Sequence, residues 1–190
     1  MEEKNEKRVK GCLAGITFFL LFCLVMSMCF GDSDEEQTTS SPQSAELQPQ
    51  SNWEYSQSFD EMNETTIYAA TCTSTNMHEF DFPYSGGSVL YLVVRSMNGK
   101  NDVYLKVSKG QVMTSISGSE YARFKFDDGK PESYSYSSAD DGSSEYAFLN
   151  ASGRLIEKIK KAKHIKIDLP FFQAGRPVFD FDVEGLEWNR

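Results

Sequence analysis

Two histidines, His78 and His164, set the limit on what imidazole chemistry this chain can do. A histidine acting as general base needs a nucleophile within reach, and a metal-ligating one needs companion ligands at a fixed spacing. Neither has such a neighbour in sequence. The chain holds no Gly-x-Ser-x-Gly elbow and no His-Glu-x-x-His pair, so structural or surface roles are expected for both. Carboxylates are plentiful, and three close pairs stand out: Asp127-Asp128, Asp140-Asp141, and Asp180 with Asp182. Calcium takes roughly six to eight oxygens, commonly from an Asp-x-Asp-x-Asp-Gly run, and none of these pairs has that spacing. Asp128-Gly129 and Asp141-Gly142 read as turns. Asp180 and Asp182 alternate with Phe179, Phe181 and Val183, which reads as the solvated face of a strand. Gly86-Gly87 is a turn before a strand, so no phosphate loop is present. No catalytic set, metal site or cofactor is expected. One enzymatic alternative stays open, a hydrolase or carbohydrate-active enzyme whose carboxylates are paired by the fold itself.

The thiols divide into two groups. Cys12, Cys23 and Cys29 lie in an apolar N-terminal stretch, and Cys72 alone lies beyond it. One thiol cannot form an internal disulfide. Cys72 sits in the alternating run Tyr68–Ser74, where a buried, inert thiol is expected. Cys29 is a candidate for lipidation, although Met26-Ser27-Met28 before it departs from the small residues such signals carry.

The strongest hint of a binding surface is aromatic. Phe80, Phe82 and Tyr84 fall in one loop, and Phe171-Phe172 follow Pro170 in another. Loops run over the surface, where exposed rings can anchor a partner protein. The alternative is that all five plug an end of the core.

These residues need a scaffold, and the chain from Trp53 to Arg190 supplies it. Aromatic and β-branched runs there alternate with period two between turn residues. Strands are predicted at Thr66–Ser74, Ser88–Ser96, Asp102–Ser108, Gln111–Ser115, Tyr121–Asp127, Glu132–Ser137, Tyr146–Leu149, His164–Leu169 and Pro177–Val183. Asn98-Gly99-Lys100-Asn101 is a hairpin signal. Leu155, Ile156, Ile159 and Ala162 recur at helical spacing, predicting one short helix within residues 150–163, with Asn150 or Ser152 as N-cap. The fold class is mainly β: an antiparallel β-sandwich of about 8–10 strands with one short helix.

The 52 residues before the domain read as its delivery system. Residues 11–30 contain no charged side chain and, as a helix, span about 30 Å, the thickness of a bilayer core. Residues 1–10 carry four basic and three acidic side chains, and the acidic run Asp32, Asp34, Glu35, Glu36 follows the span. The positive-inside bias makes residues 1–10 a cytoplasmic stub and places residues 31–190 outside the cytoplasm. The span is read as a signal anchor, with a lipoprotein signal ending at Cys29 and a cleaved secretory signal as alternatives. Residues 31–52 hold almost no apolar side chains and read as a flexible polar linker. The formal charge is −9, from 19 basic and 28 acidic residues, and argues against a nucleic-acid partner.

From Trp53 onward the order of landmarks resembles small envelope domains, namely the invasion-associated locus B group and the accessory lipoprotein of type VI secretion clusters. The matching residues include Trp53, Asp60-Glu61-Met62, Tyr68-Ala69, Leu90–Arg95, Asp102–Leu105, Arg123–Asp128, Ala139–Ser144, Leu155–Lys163 and Phe179–Leu186. Those groups often carry paired domain cysteines, whereas Cys72 stands alone. The resemblance implies a bacterial, envelope-facing β-sandwich without enzymatic activity. The expected partners are accordingly the membrane, through residues 11–30 or a lipid on Cys29, and an envelope protein.

Overall fold

Leu90, Leu92 and Val94 alternate with Tyr91, Val93 and Arg95, and the first set is fully buried, as period-two patterning requires of a central strand. In this computed structural model residues 51–114 and 120–190 are described. The apolar span 11–30, Cys29 and most of the linker therefore lie outside the described residues. Among those residues no helix is long and apolar enough to cross a membrane. The strands are β1 (Trp53–Asp60), β2 (Thr65–Thr73), β3 (Leu90–Met97), β4 (Lys100–Val107), β5 (Tyr121–Phe126), β6 (Glu132–Ser137), β7 (Tyr146–Leu149), β8 (His164–Asp168) and β9 (Val178–Asp182), with helix α1 (Ser152–Ile159) between β7 and β8.

All pairings are antiparallel, and the strands form one nine-stranded sheet in the order β1-β2-β3-β4-β7-β6-β5-β8-β9. The sheet bends until its two ends meet. The Thr75 amide donates to the Asp180 carbonyl at 2.7 Å, and the Trp53 indole Nε1 donates to the Val183 carbonyl at 2.9 Å. The sandwich is thus one continuous sheet folded over a core, with β2 and β9 brought side by side. Phe124, Phe171, Phe179 and Phe181 are the largest fully buried side chains in that core. Each such ring contributes about 1.5–3 kcal/mol relative to leaving it in water.

The β3–β4 hairpin closes as its sequence predicts. Met97 pairs with Lys100, leaving Asn98-Gly99 as a two-residue loop with φ of 53° and 69°, the left-handed geometry that asparagine and glycine tolerate.

Four local expectations differ. β1 was not predicted, because apart from Trp53 its face is polar or exposed: Tyr55 is 50% and Phe59 61% accessible. Of the predicted strand Gln111–Ser115, residues 111–114 extend no ladder, and Ser115 lies outside the described residues. Val112 makes an isolated bridge to Phe171, so this stretch braces a loop instead. Ser88 likewise lies outside β3 and bridges to His78. Finally, neither predicted residue caps α1, whose N-cap is Ala151 without a side-chain bond. The Ser152 hydroxyl is committed elsewhere, accepting from the Val103 amide and donating to the Leu149 carbonyl, both at 3.0 Å. Asn150 Nδ2 donates to Ser135 Oγ.

The C-terminal segment returns across the β1–β4 end of the sheet. The Glu187 amide donates to the Tyr55 hydroxyl, Asn101 Nδ2 donates to the Arg190 carbonyl, and the Arg190 guanidinium lies 3.5 Å from the Tyr68 ring centre. Trp188 is buried beneath this crossing.

Candidate binding site between two aromatic loops

The two aromatic loops meet at one end of the sheet. The β2–β3 connection carries Phe80, Phe82 and Tyr84, the β8–β9 connection carries Phe171 and Phe172, and together with Gly110 and Gln111 they line a pocket of about 210 Å³. Its floor is Phe80 stacked on Phe171, with ring centres 5.0 Å apart and planes inclined at 36°. Phe171 also packs on Phe179 of β9 at 6.0 Å. Gly110 is what allows the floor to sit so close. Its φ is +126°, and a Cβ there would come within 3.2 Å of the Phe80 ring.

The five predicted aromatics have separate fates. Phe80 and Phe171 are buried end plugs, Tyr84 is half-buried against the core, and Phe82 and Phe172 stand in solvent at 92% and 57% exposure. Neighbouring residues Phe171 and Phe172 diverge because the backbone between them is fixed on both sides. The Phe171 amide donates to the Gly175 carbonyl at 2.8 Å, and the Phe172 amide donates to the Gln111 carbonyl at 2.9 Å. The other loop is held from within. Glu79 Oε2 accepts from the Gly86 and Gly87 amides at 3.1 and 2.9 Å, and Lys109 Nζ donates to the Ser85 and Gly86 carbonyls.

The remaining candidates are held in structural work. His78 Nε2 lies 2.6 Å from the Val178 carbonyl, so that nitrogen carries the proton it donates. Its ring meets Phe179 edge-on at 4.8 Å. His164 contacts Asp182 through Nδ1 at 2.6 Å, at the other end of β9. The two imidazoles are thus a strand apart and converge on nothing in common. Asp127 Oδ1 accepts from the His164 and Lys163 amides at 2.9 and 3.0 Å, and these bonds, the His164 one foremost, hold its carboxyl below the usual carboxylate range. Asp141 accepts from the Ser143 amide two residues on, a turn bond. Asp180 pairs with Lys166.

Asp127, Asp180 and Asp182 border a wider, open depression of about 590 Å³ on the outer face of β8 and β9, interleaved with Lys125, Lys163 and Lys166. Among the described residues no three His, Cys, Asp or Glu side chains group to hold a metal ion. Cys72 is fully buried, and burial first, then the charge of Asp182, pushes its thiol up to about 12.

Sequence reasoning missed a second aromatic group. Tyr104, Tyr146 and Phe148 share the outer face of β4 and β7, where Arg95 lies 5.4 Å from the Tyr104 ring centre and Lys106 5.3 Å from that of Tyr146. The alternation Tyr146-Ala147-Phe148-Leu149 was the available signal, because it puts two rings on the face opposite Ala147 and Leu149.

By its fold the chain is a mainly β protein built on one folded-over antiparallel sheet with a single short helix. No family model matches it, and no curated protein matches it. Among solved structures it is similar to the crystal structure of invasion associated protein B from Bartonella henselae, at 14% identity over 71% of this chain and 86% of that one, with a TM-score of 0.43. Nothing about the chemistry of this chain follows from so distant a likeness.

Proposed function

We propose that residues 53–190 form a non-enzymatic binding domain of the bacterial cell envelope, carried outside the membrane by residues 11–30, and that Phe82 and Phe172 grip a partner protein. The observation that carries this reading is the pairing of buried and exposed rings. Phe80 and Phe171 make a rigid apolar floor, while Phe82 and Phe172 remain in water beside it. Exposing two phenylalanines next to a preformed pocket has a cost in solubility, and aromatic anchors beside a desolvated pocket are what interfaces concentrate their energy in. Three of the closely spaced carboxylates have partners that support the non-enzymatic reading: Asp127 with backbone amides, Asp180 with Lys166, and Asp182 with His164.

The test is site-specific photo-crosslinking in cells making the full chain, with the photoreactive residue at position 82, at 172, or at the exposed control position Lys130. A discrete protein adduct from 82 and 172, absent from 130, is the expected result. Phe172→Ala should lower the yield from position 82 without moving the melting temperature. Identical diffuse labelling from all three positions would overturn the proposal.

A further inference from the structure

Taking the Phe82/Phe172 pocket as a protein-binding site, we propose that the group entering it is a basic side chain, lysine or arginine, of the partner. The first argument comes from how this protein uses several of its other aromatic rings. Arg95 lies over Tyr104, Lys106 over Tyr146, Lys158 over Phe126, Arg176 over Tyr121 and Arg190 over Tyr68, at 3.5–5.4 Å from the ring centres. A ring face is electron-rich and attracts a cation held within about 6 Å. Among the described residues, no cation of this chain covers Phe80, Phe82, Tyr84, Phe171 or Phe172.

The second argument is the charge at the pocket itself. Asp81 is the one charged residue among those lining it, it is exposed, and its carboxylate has no ion pair among the described residues. The nearby charges of the same loop are spent on the loop: Glu79 on two amides and Lys109 on two carbonyls. Asp81 is therefore left to an incoming cation. Apolar walls with a single carboxylate match an amphipathic side chain, whose methylene stem packs on Phe82 and Phe172 while its head reaches Asp81. The domain as a whole favours such a partner, since residues 53–190 hold 15 basic and 20 acidic side chains, a net of −5.

The test titrates short capped peptides into the isotopically labelled full chain in detergent micelles and follows the Gly110 and Ala174 amide signals at the pocket. The peptides are Gly-Lys-Gly, Gly-Arg-Gly and Gly-norleucine-Gly, the last keeping lysine's four-carbon stem without its ammonium group, with choline chloride as a separate arm. Saturable shifts with the lysine or arginine peptide are expected, at least about fivefold tighter than with norleucine. Asp81→Asn should weaken the cationic peptides about threefold and leave the norleucine response unchanged, and added salt should do the same to the unaltered chain. Norleucine binding as tightly as lysine would overturn the inference while leaving a protein-binding pocket that takes an apolar side chain. Choline binding more tightly than either peptide, or no peptide shifting these amides, would overturn it too. Loss of the Phe82 and Phe172 crosslinks is a separate failure, that of the protein-binding reading.

Discussion

The ring of Phe80 lies 5.0 Å from that of Phe171, and this one contact fastens the β2–β3 connection to the β8–β9 connection. Phe171 is 2% exposed and its neighbour Phe172 57%, so the same truncation at adjacent positions should have very different consequences. Phe171→Ala is expected to cost about 3–4 kcal/mol of stability, from lost burial and the cavity left behind. Phe172→Ala should stay within about 0.5 kcal/mol of the parent. Urea midpoints of the two variants measure the contrast, and equal losses would place Phe172 in the core.

Asp168 offers a second contrast. It is buried and accepts from two guanidinium groups, with Arg123 Nε 2.9 Å from Oδ2 and Arg176 Nε 2.8 Å from Oδ1. Removing the shared acceptor breaks the bonds of both guanidinium groups and leaves the more enclosed Arg176 without its carboxylate, so Asp168→Ala should destabilise by about 2–3 kcal/mol. Arg123 is half-exposed, and water can replace its bonds. Arg123→Ala should therefore cost at most about 1 kcal/mol. A larger loss at Arg123 than at Asp168 would contradict this arrangement.

Alkaline pH should destabilise the domain through three buried groups. Burial raises the Cys72 thiol from an ordinary 9.0 to about 12 and the Tyr134 phenol from 10.0 to about 12, and it raises Tyr136 as well. In each case the folded state holds its proton more tightly than the unfolded chain. The stability this represents is complete below the unfolded pKa and is lost as pH rises from about 9 toward 12. Denaturant midpoints should be level from pH 7 to about 9 and then fall. Cys72→Ala should shallow that fall after its own packing loss is subtracted. At pH 8 the thiol should resist iodoacetamide until denaturant is added, and prompt alkylation of native protein would show an accessible thiolate.

The proposed signal anchor at residues 11–30 makes a prediction about the mature chain. Protein recovered from membranes should retain Met1, as a signal anchor does, and mass spectrometry of its N-terminal peptide reads this directly. An acylated peptide starting at Cys29 would replace the anchor with a lipid.

The central strands were legible because burial on one face writes period two into the sequence, as in Leu90, Leu92 and Val94, and because Asn98-Gly99 announces a tight hairpin. β1 was not, since Tyr55 and Phe59 face the inner side of an edge strand yet remain largely exposed, so no contrast between faces develops. The continuity of the sheet was also invisible. It depends on Thr75 and Trp53 meeting the backbone of β9 and its end, contacts between residues more than a hundred positions apart. For the pocket, the five aromatics that line it stand out in the sequence, but which of them are buried does not. Which of Phe171 and Phe172 turns inward depends on backbone bonds to Gly175 and Gln111, which no local periodicity encodes.

The bond from the Trp53 indole to the Val183 carbonyl acquires a mechanical meaning from its position. Trp53 is the first residue of an edge strand, and a strand pulled from its end unzips one pair at a time, beginning here with Trp53 and Cys72. The indole pins that first pair to the far end of the sheet, assisted by Asn52 Nδ2 on the Asp182 carbonyl. Tension arriving through the preceding chain is therefore shared between β2 and the exit of β9 before any ladder bond of β1 gives way. Peeling β1 from its N-terminal end would have to break these side-chain bonds along with the first ladder pair.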